Sequence, residues 1–314
     1  MNAADILLVL LALAFAWSMG AHYTGACMGM PHATGSIGLW PALGIMAPLT
    51  LVGATFFSHR VLTNVGHNIL IVQQLGTLPA IAIVASAFLL TTIFTQRRIP
   101  TSTIQILVFC IIGVGAALHL QIRWLLIGQL ALLWVLAPFI AFGLGFAFTR
   151  ILDRLPRFSG SGAVGTIGHA LVLVGGAASL AMGANDVSNA TAVLLTTGFS
   201  GPFLAGLIGG IGLAVGVLTW GRPLLERVAF DIVKVDLPMA TAAQLVQAMV
   251  VLTAVFFGMF TSMNQALVGA MAGAGFARGR ETVDKKVVLG IVRGWIFGPA
   301  AGAALGYVFA LLLK

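Results

Sequence analysis

The stretch GANDVSNAT, residues 183–191, sets an aspartate, two asparagines, a serine and a threonine into otherwise apolar sequence. Of the chain's 8 acidic residues, Asp186 alone is flanked by long apolar runs on both sides. Asp5 lies near the N-terminus, and Asp153, Glu226, Asp231, Asp236, Glu281 and Asp284 lie in segments rich in arginine and lysine. A carboxylate at the centre of a bilayer costs about 2.5–3.5 kcal/mol on insertion scales, so one found there is expected to be functional. A second polar island, TSMNQ at 261–265, lies further along. The first half has two islands of its own, GAHYTGACMGMPHATGS at 20–36 and TSTIQ at 101–105.

These islands define two candidate half-sites. One is Asn185, Asp186, Asn189, Ser262, Asn264 and Gln265; the other is His22, Tyr23, Ser102, Thr103 and Gln105. Amide, hydroxyl and carboxylate oxygens suit a small cation, so Asn185, Asp186 and Asn189 are the candidate Na+ ligands. Asp186 is also a titratable site for a proton. The N–H and O–H donors, with any helix N-terminus nearby, suit an anion. Small polar residues also serve ordinary packing and interhelical hydrogen bonds. TSTIQ alone reads as packing, whereas GAND with its aspartate reads as functional. His22 and Tyr23 occupy the places of Asn185 and Asp186 in the other copy, which draws a residue usually structural into the site. His32, His59, His67 and His119 flank apolar runs and are expected at the interface, as are Arg60 and Arg222, which could also attract anions.

The elements that must position these residues are transmembrane helices. The chain is 60% hydrophobic and 8% charged, with a mean hydropathy of +1.07. Soluble domains carry roughly 25% charged residues, so this chain cannot cover a water-facing surface. An all-α, polytopic transmembrane protein is expected, with about 10 to 12 membrane segments of which some are broken or re-entrant. Apolar runs fall near 4–19, 40–57, 77–96, 101–118 and 124–149, then near 165–182, 202–220, 238–260, 262–277 and 287–313. The runs at 101–118 and 262–277 are short, begin with polar residues and suit re-entry. The run 4–19 lacks a basic leader and reads as a retained first span. The net charge of +8 resides in short segments between apolar runs, the pattern of topology-setting loops rather than of a nucleic-acid surface. Residues 150–157 are expected on the cytoplasmic side. Cys27 and Cys110 have no metal-ligand spacing and no disulfide pattern.

The two halves share an order of matching residues. MGA at 19–21 recurs at 182–184, and Gly53, Val65 and Ile69 match Gly216, Val228 and Ile232. TSTIQILVFCIIGVGAA at 101–117 matches TSMNQALVGAMAGAGFA at 261–277. Trp134, Pro138, Leu144, Gly145 and Phe148 match Trp295, Pro299, Leu305, Gly306 and Phe309. The division is a first repeat at 1–152, a polar link at 153–164 and a second repeat at 165–314. An odd number of spans per repeat places the copies upside down, the inverted repeat of secondary transporters. Helices are expected to unwind at the polar islands, because bare backbone at membrane depth is tolerated where it lines a cavity or binds a ligand. No Gly-rich phosphate loop, HExxH or paired-cysteine metal motif is present, so neither an enzyme nor a bound cofactor is expected. The driving energy would come from an ion gradient of H+ or Na+.

GANDVSNA resembles the G-A-N-D-x-x-N signature of the PiT inorganic phosphate transporter family, and TSMNQALVGAMAGAGFARG resembles that family's second conserved block. The resemblance spans essentially the whole chain. It implies an inverted-repeat carrier of a tetrahedral oxyanion, usually sodium-coupled, often a homodimer, spanning the cell (inner) membrane among lipid. The first copy departs from the family pattern: His22 and Tyr23 replace Asn-Asp, and Ala26 stands where the second copy has Asn189. MGAHYTGACMGMPHATGSI and GRPLLERV are similar to the bacterial sulfate permease branch instead. Sulfate is an acceptor only, and exchanging a carboxylate for Tyr and an amide for His trades acceptors for donors. Sulfate is therefore the expected substrate ahead of phosphate, and a passive anion channel is the reading from a different class.

Overall fold

The computed structural model describes residues 2–97, 101–155, 163–231, 236–279 and 285–313. A chain in lipid must satisfy its backbone within its own segments, and helices do so residue by residue. The first half consists of α1 (Ala3–His22), α2 (Thr24–Ala33), α3 (Leu39–Val52), a π-helical turn (Gly53–Phe57), α4 (His59–His67), α5 (Thr77–Gln96), α6 (Thr103–Ala117) and α7 (Trp124–Arg154). The second half consists of α8 (Ala163–Thr196), α9 (Pro202–Asp231), α10 (Leu237–Phe256), α11 (Met263–Arg278) and α12 (Lys285–Leu312). Of the expected link at 153–164, residues 156–162 lie outside the described residues. Among the described residues, 8 helices are long and apolar enough to cross a bilayer. The shorter α6 and α11 begin in the protein interior, which brings the membrane segments among the described residues to ten.

Starts and stops follow side-chain chemistry. Asn2 caps α1 in a reciprocal box with Asp5, with Asp5 N–H donating to Asn2 Oδ1 at 2.9 Å and Asn2 N–H to Asp5 Oδ2 at 3.0 Å. Asp236 caps α10 through the Met239 N–H at 2.9 Å. Ser102 and Ser262 cap α6 and α11, each hydroxyl accepting from the N–H of a glutamine three residues on, Gln105 at 3.5 Å and Gln265 at 3.3 Å.

The repeat is visible element by element. The α1–α2 pair corresponds to α8; α3 with its π turn and α4 corresponds to α9; α5, α6 and α7 correspond to α10, α11 and α12. The copies run in opposite directions. Thr77 at the start of α5 donates to Asp5 at the start of α1 at 3.0 Å, and Leu75 N–H donates to the Thr196 carbonyl at the end of α8 at 2.8 Å. The start of α1 and the end of its counterpart α8 therefore share one face of the protein. The halves also interlock. α6 packs along α12, α11 along α7, α1 along α9, and α8 along α3 and α4.

Matched glycines make this interlocking possible. A Cβ on Gly20 would overlap the Leu213 carbonyl oxygen of α9, and one on its repeat partner Gly183 would overlap that of Thr50 in α3. Gly53 against Leu180 and Gly216 against Trp17 form the next symmetric pair. Small residues at crossings let helix backbones touch, the usual basis of association in lipid.

Candidate functional site

The GAND island does not unwind. α8 runs without interruption from Ala163 to Thr196, so the expected break at 183–191 is absent. At the equivalent place in the first half only Tyr23 leaves helical geometry, and Tyr23 N–H to Met19 at 3.2 Å and Cys27 N–H to Tyr23 at 3.0 Å keep the turn bonded. The small residues there serve close packing instead, as the contact of Gly183 with Thr50 illustrates. The breaks lie at the other two islands. Ser102 and Ser262 are extended, with ψ of 110° and 115°, and each leads into the buried N-terminus of a short helix.

Those two N-termini are held from several elements. Asn185 grips the second from both sides: its Nδ2 donates to the Thr261 carbonyl at 2.9 Å and its Oδ1 accepts the Thr261 N–H at 3.2 Å. Trp134 of α7 donates to the Phe260 carbonyl at 3.2 Å. From α4, Arg60 donates to the Phe256 carbonyl at 2.5 Å and Asn64 to the Gly258 carbonyl at 2.6 Å. Asn264 Nδ2 reaches the Thr101 carbonyl at 3.5 Å, which joins the two breaks to each other. Ser102 and Ser262 take up the N–H groups of the third and fourth residues of each helix, and each buried N-terminus carries a partial positive charge.

Beside them lies a polar cluster. Tyr23 and Thr103 hydroxyls bond at 2.7 Å, Asn189 Nδ2 donates to Thr103 Oγ1 at 3.2 Å, and the same amide lies 3.4 Å from Asp186 Oδ1. Asp186, Asn185 and Thr103 have no solvent exposure. Among the described side chains Asp186 is the only buried carboxylate. Several oxygens here are buried without a partner: Asp186 Oδ2, Asn189 Oδ1, Gln105 Oε1, Gln265 Oε1 and Thr261 Oγ1. A buried polar atom left without a partner is costly, and a set of oxygens in that condition is a place for a cation or a proton-bearing group. Among the described residues no three of His, Cys, Asp and Glu gather as a metal site.

The sequence-derived candidates thus separate. Tyr23, Thr103, Asp186 and Asn189 form one cluster. Asn185 bonds to backbone, and the Ser102 and Ser262 hydroxyls cap their own helices. Asn264 is half-buried and links the breaks. His22 lies edge-on to Tyr23 at 4.9 Å, bonds Thr95 Oγ1 at 2.8 Å through Nδ1, and leaves Nε2 unpartnered. Thr95, Thr101 and Thr261 join the site without a sequence signal of their own: Thr95 bonds His22 through its hydroxyl, and Thr101 and Thr261 are bonded through backbone groups. Gln244 and Gln247 of α10, both fully buried, were also missed; their three-residue spacing on one helix face was the available signal.

Two inverted copies of a helical unit, enclosing a buried site with helix N-termini and one carboxylate, define a secondary-transporter architecture. The model of the phosphate transporter family matches residues 19–161 and again 162–306, and the chain belongs to that family. It is therefore a transporter and not an enzyme. The sulfate permease CysP of Bacillus subtilis (strain 168) is 29% identical over 321 residues, covering 99% of this chain and 88% of the relative. A solved structure titled the sodium-dependent phosphate transporter superposes with a TM-score of 0.94 at 22% identity, covering 100% of this chain and 99% of that one.

Proposed function

We propose that the protein imports a tetrahedral inorganic oxyanion, sulfate foremost, across the cell (inner) membrane together with H+ or Na+. The observation that carries this reading is the asymmetry of the site. One half supplies Asp186 and the other supplies Tyr23 with His22 beside it. In this reading the cation takes Asp186 Oδ2 and Asn189 Oδ1, and the anion takes donors: the N–H groups that open α6 and α11, ahead of those bonded to Ser102 and Ser262, and the unpartnered His22 Nε2. Fully ionised sulfate offers acceptors only and suits that set. The likeness to a sulfate permease supports the choice. Asn185, Ser102, Ser262 and Asn264 act as scaffolding that aims the two N-termini. A homodimer, expected from the family resemblance, is part of the same reading.

Phosphate is the second reading; the description of the family supports it, and so does one feature of the site. Gln105 Oε1 and Gln265 Oε1 are buried acceptors without donors, and a protonated phosphate would supply the hydrogens they lack. Counterflow in proteoliposomes decides between the two. Labelled sulfate is expected to exchange and to be displaced only weakly by phosphate; efficient displacement by phosphate selects the alternative. Collapsing the H+ and Na+ gradients separately identifies the coupling ion, and accumulation indifferent to both would make the protein a passive channel.

Orientation follows from charge. The face carrying the ends of α5 and α7 also carries the starts of α8 and α10. Arg97, Arg150, Arg154, Arg222, Arg278 and Arg293 lie toward it, and there Arg278 bridges Asp153 at 2.6 Å and Asp236 at 3.0 Å. Arg60 and Arg123 are the described basic side chains toward the other face. Positive residues stay cytoplasmic. In a background without Cys27 and Cys110, Arg123→Cys is expected to react with an impermeant maleimide on intact cells, and Arg154→Cys only after permeabilisation. The opposite labelling would reverse the orientation.

A further inference from the structure

The repeat places Ala26 where the second half has Asn189, and Met263 where the first half has Thr103. In one half Asn189 Nδ2 reaches Thr103 Oγ1 at 3.2 Å and ties α8 to the start of α6. The mirrored tie would join α2 to the start of α11 through residues 26 and 263. Neither an alanine nor a methionine side chain can donate it.

Two glutamines of α10 bridge that gap. Gln244 Nε2 donates to the Ala26 carbonyl at 2.9 Å and to Gln247 Oε1 at 2.5 Å. Gln247 Nε2 in turn reaches the Met263 carbonyl at 3.5 Å. The chain of contacts therefore runs from α2 through α10 to the first turn of α11. Both side chains have 0% exposure. The counterpart helix α5 carries Val84 and Ala87 at these places, so the helix position itself does not call for amides. Burying two amides in a helix core is unfavourable unless they do something an apolar pair cannot.

We infer that Gln244 and Gln247 are positioning residues of the substrate site, replacing by a relay the tether that Asn189 makes directly in the other half. They fix the N-terminus of α11 relative to α2, and so set the distance between the anion-facing N–H groups and Tyr23. The inference rests on the transporter reading for its kinetic consequence, but the tether itself does not.

The test uses the full-length protein with Gln244→Leu and Gln247→Leu combined. Removing both amides together avoids stranding one of them, and the Ala26 carbonyl keeps its place in the helical ladder. Without substrate, hydrogen exchange of the amides at 263–267 is expected to quicken relative to the unaltered protein. In proteoliposomes the KM for the oxyanion that the unaltered protein carries is expected to rise about tenfold, with maximal rate changed far less, because an aiming error weakens binding before it slows turnover. Adding Ala26→Asn together with Met263→Thr, which restores the short tether, should recover much of the KM. Unchanged exchange overturns the tether whatever the substrate is. Quickened exchange with an unchanged KM reduces the pair to ordinary packing and overturns the positioning role. Quickened exchange in a protein that carries neither sulfate nor phosphate keeps the tether and rejects the transport reading instead.

Discussion

Asp186→Asn is expected to abolish concentrative uptake while leaving the protein at least as stable as before. The two effects have one cause. Asp186 is fully buried, its Oδ2 has no partner, and its Oδ1 meets the Asn189 amide at 3.4 Å. An ionised carboxylate in that setting is a charge awaiting a counter-charge, and the empty protein bears its desolvation cost. An asparagine has the same shape and can accept from Asn189, but it carries no charge. Attraction between unit charges about 4 Å apart at an effective dielectric near 20 is worth about 4 kcal/mol. Losing it weakens cation binding by about a thousandfold. Uptake against a gradient should vanish, whereas the denaturation midpoint in detergent should stay level or rise. The exposed pair Arg222–Glu226, at 3.0 Å, supplies the control: Glu226→Gln should alter neither measurement, as surface pairs contribute little. Undiminished accumulation in Asp186→Asn would remove the carboxylate from the coupling step.

Asp186 was legible from sequence because a lone acid in apolar surroundings has few explanations. The inverted repeat was legible because equivalent helices face equivalent neighbours and retain equivalent small residues, such as Gly20 with Gly183 and Gly53 with Gly216. The place of the helix breaks was legible in part: TSTIQ and TSMNQ break as expected, and GAND does not. Unwinding and close packing draw on the same residues, and nothing local to GAND tells which applies until Thr50 is found against Gly183. The breaks did carry a local mark: Ser102 and Ser262 each precede a glutamine by three residues, the spacing of a capping box. Asn185 reads as a ligand in sequence and acts as a clamp in the fold, because its partner is the backbone of a residue 76 positions away. Gln244 and Gln247 lie within a run, 238–260, that reads as an ordinary span, and only the three-dimensional approach of Ala26 and Met263 gives them a task.

Gly183→Ala is expected to be among the most damaging single methyl additions in the chain, although it raises both hydrophobicity and helix propensity. In an isolated helix the change would favour folding by about 1 kcal/mol. In this fold the added Cβ falls on the Thr50 carbonyl oxygen, and the nearby Ala54 N atom at 2.9 Å allows no sideways escape. The obstacles are backbone atoms of α3 and of the π turn, which cannot change rotamer, so α8 must move away as a unit. Overpacking of this kind costs about 1–3 kcal/mol or more. The displacement would also carry Asn185 and Asp186, two and three residues along, away from Thr261 and Thr103. Yield of folded protein and uptake should therefore fall together, in contrast to Asp186→Asn, where only uptake falls. Gly216→Ala, whose Cβ would meet the Trp17 carbonyl in the mirrored crossing of α1 and α9, should behave alike if the two halves are structural equivalents. Gly44→Ala and Gly128→Ala meet nothing within 4 Å and should be neutral or stabilising. Thermal midpoints of these four variants in one detergent separate the two groups. If Gly183→Ala matched Gly44→Ala, α8 and α3 would not be in backbone contact, and the platform that presents the buried aspartate would have to be built some other way.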